Sequence, residues 1–94
     1  MSIKFDWDPG KVRRNLRKHG IGFIEASTVF SDTLSISIPD PDHSEDEERL
    51  VTMGLSNRHR LLVVVHTEED ETIRLISARR ADRLERRKYE EGNS

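Results

Sequence analysis

The side chains here that could do chemistry are imidazoles, one phenol and a set of guanidinium and ammonium groups. His19, His43 and His66 could take or give a proton near neutral pH, and Tyr89 could donate one. Lys18, Arg49, Arg74, Arg79 and Arg80 could hold a phosphate, and Trp7 and Tyr89 could stack on unpaired bases. Such a set suits acid–base chemistry on an anionic substrate. A base takes a hydroxyl proton, cations hold the growing negative charge, and an acid protonates the leaving oxygen.

Each of these residues also has a structural explanation. His19 falls at a helix C-terminus, where its ring can cap the last carbonyls, and Lys18 beside it can be a solvated helix residue. His66 is in register with Leu62 and Val64, so a hydrogen-bonded core histidine has an equal claim. Arg74 interrupts an apolar strand and must face a phosphate or a carboxylate such as Glu48 or Glu85. Strict alternation sends Arg74 and Arg79 to opposite faces, and they share a site only if the strand ends or bulges near Ser77. Trp7, the single tryptophan, can equally pack in the core.

A metal centre is the rival chemistry. The segment from Asp40 to Glu48, with His43, is rich in oxygen ligands, yet it lacks the spacing and glycine of a calcium site. No histidine pair has zinc spacing on a helix, and there is no cysteine, so no metal or other cofactor is expected.

The elements that must position these groups read clearly. Ile3, Phe5 and Trp7 alternate as a strand, and Asp8-Pro9 opens a helix through His19 that Gly20 stops. On it Val12 and Leu16, with His19 three beyond, lie on one stripe, while Lys11, Arg13, Arg14, Arg17 and Lys18 occupy the remainder. A second short helix is expected from Phe23 to Phe30, and a strand from Leu34 to Ile38. The acidic stretch to Glu48 reads as a loop. Strands follow at Arg49 to Leu55, Leu61 to Thr67 and Thr72 to Ser77, then a polar helix from Arg80 to Glu91. Leu61 to Val65 is continuously apolar, which puts that strand at the sheet centre with both faces covered. The expected fold class is α+β: an antiparallel sheet of four to five strands, two N-terminal helices and a C-terminal helix, in one domain over 1–94.

Composition narrows the function classes. With 33% hydrophobic and 36% charged residues the core is modest under a charged surface. No apolar run approaches the ~20 residues of a membrane span and no signal peptide is evident, so a cytoplasmic protein is expected. A net charge of -2 argues against a generally basic nucleic-acid binder. Its distribution is uneven: residues 1–30 carry six Lys/Arg against three acids, 31–48 none against seven, and 74–94 seven against four. A positive groove can form if the fold brings the two ends together.

Three blocks resemble the BrnT family, in the family's order over nearly the whole chain. The first is Phe5-Asp6-Trp7-Asp8 with Lys11, Asn15, Lys18-His19-Gly20 and Phe23 through Asp32. The second is Asp40-Pro41-Asp42-His43-Ser44 with Glu48-Arg49 and Gly54. The third is Leu62 to Glu68 and Ile73 to Ala81, followed by Glu85-Arg86-Arg87 and Tyr89. The resemblance implies a RelE-like fold and a type II toxin that cleaves RNA. It also implies a BrnA-like ribbon-helix-helix antitoxin bound as a 2:2 hetero-oligomer, with operator DNA met only through that antitoxin. The chain departs from the family's pattern at Glu69 and Asp70, within four successive acids, Glu68 to Glu71, that repel phosphate.

On this basis the expected catalytic set is Lys18, His19, His66, Arg74, Arg79 and Tyr89, and the expected RNA contacts are Trp7, Lys11, Asn15, Arg49 and Arg80. The alternative is a protein-binding module without chemistry, or a co-repressor subunit in an antitoxin–DNA complex.

Overall fold

The computed structural model describes residues 3–42 and 48–92. The elements follow the expected order: β1 (Lys4–Trp7), α1 (Pro9–His19), α2 (Phe23–Ser27) with a 3-10 turn (Thr28–Ser31), β2 (Ile36–Pro39), β3 (Arg49–Leu55), β4 (Leu61–Glu69), β5 (Thr72–Arg80) and α3 (Arg83–Gly92).

Local signals explain most boundaries. The Asp8 carboxylate accepts from the Lys11 amide at 3.1 Å, and Gly20, at φ 70°, ends α1 by donating its amide to the Leu16 carbonyl. The second helix is shorter than expected because the Ser27 and Thr28 hydroxyls bond the Ile24 and Glu25 carbonyls, and the chain tightens into a 3-10 turn. Leu34 lies in a turn, its amide bound to Asp32 Oδ1 at 2.9 Å, so β2 starts at Ile36. At the other end β5 runs on to Arg80 and α3 begins only at Arg83. A reciprocal cap sets that start, the Asp82 amide donating to Glu85 Oε1 and the Glu85 amide to Asp82 Oδ1.

The sheet order is β1-β5-β4-β3-β2, which puts the apolar β4 at the centre as expected. The sheet is mixed, however, and not antiparallel throughout: β1 pairs parallel with β5. The meander fixes the direction of β5, and α1, packing back over β5, leaves β1 to run alongside it. Ile21, Phe23, Ala26 and Val29 pack on Leu62, Val64, Ile73, Leu75 and Ala78, with Trp7, Val12 and Phe30 at the margin. Leu61 and Val63 point to the opposite face and are buried too. On that side Gly92 of α3 comes close to β2, where a Cβ on it would stand 3.3 Å from Ile36 Cδ1. The stripe expected on α1 is shifted: Leu16 is 49% exposed, and Asn15 is the buried residue. No helix among the described residues is long and apolar enough to cross a membrane.

Candidate functional site

A single irregularity in β5 organises the site. Pairing with β4 steps from Val65 opposite Ser77 to His66 opposite Leu75, so Ile76 is an extra residue, a bulge. Because of it Arg74 and Arg79, opposite Thr67 and Val63, lie on the same sheet face, the one away from α1. β1 ends opposite Leu75, which leaves the edge of β5 beyond the bulge without a strand neighbour among the described residues.

Asn15 takes that place. Its Oδ1 accepts from the Ala78 amide at 3.0 Å, and its Nδ2 donates to the Ala78 and Ile21 carbonyls at 2.8 and 2.9 Å. The side-chain amide thus satisfies both backbone groups of Ala78 as a paired strand would, and ties α1 to β5. Asn15 is fully engaged inside the protein; it forms the floor of the site and presents no free group to an RNA.

Above this floor is an open pocket of about 320 Å³ between α1 and the bulge. Lys11, Arg14, Lys18 and His19 line it from the helix, and Ile76 and Ser77 from the strand. Seven residues separate Lys11 from Lys18, roughly 10 Å along the helix axis. No ion pair among the described residues involves Lys11, Arg14 or Lys18. The pocket is therefore an uncompensated cationic surface beside an imidazole, a setting that attracts a polyanion and can move a proton. Arg14 is not among the site residues expected from the sequence; its spacing of three from Lys11 and four to Lys18 is the signal that it shares their stripe.

The other expected site residues lie elsewhere. Arg74 is ion-paired with Asp6, its neighbour in the parallel register, and is itself half exposed. The carboxylate that faces it is thus neither Glu48 nor Glu85. Arg79 is gripped by Glu85 through two bonds of 2.8 and 2.7 Å. That contact raises the Arg79 pKa and lowers that of Glu85. The C-terminal arginines therefore do not join the N-terminal cations in one groove.

His66 is wholly buried, its Nε2 2.7 Å from the Thr52 hydroxyl and its ring edge-on to Phe30 at 4.8 Å. Burial pushes its pKa down to about 4, so it is a neutral core histidine at neutral pH. Tyr89 donates to Asp32 Oδ2 at 2.6 Å and anchors α3. Burial, and then the Asp32 carboxylate, push its pKa up to about 12, which suits a tether better than an acid. Trp7 packs edge-on against Phe23 at 6.1 Å. Arg49 is half-buried two strands from the bulge, and Arg80 is exposed at the end of β5. His43 lies outside the described residues. Among the described residues no group of His, Asp and Glu is placed to hold a metal ion.

The comparisons with known proteins agree with this fold. A crystal structure of the Brucella abortus ribonuclease toxin BrnT superposes with a TM-score of 0.67 at 24% identity, covering 87% of this chain and all of that one. That likeness speaks for the fold. No curated protein matches the sequence. The family model for BrnT, the ribonuclease toxin of type II toxin-antitoxin systems, matches residues 7–85. With most of its length accounted for by that match, the chain belongs to the BrnT family of ribonuclease toxins.

Proposed function

We propose that this chain is an endoribonuclease that cleaves RNA without a metal, and that the pocket between α1 and the β5 bulge is where the scissile phosphate sits. One observation carries this reading: three cations, Lys11, Arg14 and Lys18, line one pocket with His19, and none is held by an acid of the described residues. Lys11 and Arg14 hold the non-bridging oxygens, whose charge grows as the ribose 2′-oxygen attacks phosphorus. His19 takes the 2′-hydroxyl proton. The bond from phosphorus to the 5′-oxygen breaks, and that oxygen leaves with a proton from the Lys18 ammonium. The products are a 2′,3′-cyclic phosphate and a 5′-hydroxyl. Arg74, Arg79, His66 and Tyr89 keep structural roles.

The rest of the reading follows the family. A RelE-like toxin of this kind acts in the cytoplasm, arrests growth by cutting RNA, and is silenced by a BrnA-like ribbon-helix-helix antitoxin in a 2:2 complex. DNA is met only through that antitoxin. An acidic antitoxin segment over the cationic pocket would exclude RNA by charge and by volume. The test is RNA incubated with the partner-free folded chain in EDTA. Cleavage to cyclic-phosphate ends, lost in His19→Ala, supports the proposal. Intact RNA with folded protein overturns it and favours the non-catalytic binding module.

A further inference from the structure

The sheet has two edges, and they are guarded unequally. Pro39 closes β2, where it removes a backbone donor from the outer edge. β1 has neither a proline nor a bulge. The Lys4 amide donates to the Glu71 carbonyl at 2.8 Å, which turns the backbone groups of Lys4 and Asp6 toward β5. Alternation then turns those of Phe5 outward, to an edge with no strand beside it among the described residues. The side chains along this edge are apolar on the helix side, where Ile3 is 59% and Phe5 37% exposed, and charged on the other side, where Lys4 and Asp6 lie.

We propose that β1 pairs antiparallel with β1 of a second copy, about a two-fold axis at Phe5, and extends the sheet across both molecules. In this register Phe5 faces Phe5 and exchanges two backbone hydrogen bonds with it. Ile3 faces the second copy's Trp7, and Lys4 faces the second copy's Asp6. Both faces of the strand are then matched at once: apolar residues meet on the helix side, and on the other Lys4 meets an Asp6 carboxylate that Arg74 of its own chain also holds. The alternatives fail. An axis at Lys4 or Asp6 opposes like charges at its centre, and an axis at Trp7 sets Phe5 against Pro9, which has no amide to donate. A four-residue strand buries less than the ~800 Å² per partner of a standard interface, so association is weak.

The chain has no cysteine, so an introduced pair reports the register without background. In the proposed dimer the two Cα atoms at residue 5 are about 5.5 Å apart, within disulfide reach. Those at residue 4 are two residues out of register and about 8 Å apart, beyond it. Phe5→Cys should cross-link to itself under mild oxidation, and Lys4→Cys should cross-link to Asp6→Cys but not to itself. The unmodified chain should sediment with a mass that rises with concentration. A chain that stays monomeric to about 1 mM overturns the proposal. So does self-linking of Lys4→Cys as fast as Phe5→Cys, whatever the fate of RNA cleavage.

Discussion

Replacing Asn15 by alanine removes no surface contact, yet it should be among the most damaging substitutions available to this chain. Asn15 is 5% exposed and satisfies three buried backbone groups: the Ile21 carbonyl and both the carbonyl and the amide of Ala78. Leaving a buried polar group unpaired costs about 1–3 kcal/mol. Three such groups, allowing for non-additivity and some access by water, give a loss of about 3–5 kcal/mol. Total stability for a domain of this size is about 5–10 kcal/mol, so the variant should be near the threshold of folding. Urea unfolding at neutral pH, followed by circular dichroism, measures the difference directly, with an unchanged slope if both states keep their compactness. Asn15→Asp sharpens the test. It keeps an acceptor for the Ala78 amide but sets a carboxylate against two carbonyl oxygens. That carboxyl has a raised folded-state pKa, so its damage should shrink as pH falls and it takes up a proton. Arg14→Ala, at an exposed position on the same helix, should change stability by less than about 0.5 kcal/mol. An Asn15→Ala loss below about 1 kcal/mol would refute the view that this side chain stands in for a strand.

The triple variant Lys11→Ala, Arg14→Ala, Lys18→Ala should fold normally, lose RNA cleavage, bind RNA more weakly, and flatten the logarithmic salt dependence of binding by about 2, at ~0.7 per phosphate contact for single strands. Binding with an unaltered salt slope would place the RNA elsewhere. Burial holds the His66 pKa at about 4 against an ordinary 6.5, so the unfolded chain takes up that proton first as pH falls. Its contribution is complete above about pH 6.5 and is lost toward pH 4, at up to about 1.4 kcal/mol per pH unit. His66→Gln should flatten the urea midpoint between pH 5 and 6.5; equal steepness in both proteins would count against the assignment. At Gly54 a Cβ would stand 2.8 Å from Val29 Cγ1 and 3.2 Å from the Val29 carbonyl oxygen, so Gly54→Ala should lower stability by about 1–3 kcal/mol in thermal unfolding. A neutral result there would mean that the 3-10 turn can move.

What the sequence determined by itself is what is decided over a few neighbouring residues. The cap at Asp8, the left-handed stop at Gly20 and the apolar run of β4 are properties of short stretches, and they produced the order of elements and the central strand. The cationic stripe of α1 was legible in the same way, since helical spacing alone puts Lys11 and Lys18 on one face. Only the tertiary structure decided which charges are free. Asp6 meets Arg74 across a separation of 68 residues, and Asn15 reaches Ala78 across 63, because β1 and α1 both dock on β5. Ile76 forms a bulge where β1 has ended and a side-chain amide takes over the edge. No local pattern encodes that exchange, because the pairing energy that sets it arises between distant parts of the chain. The same distant contacts neutralise Arg74, while Lys18, which no acid of the described residues holds, stays open to an anion.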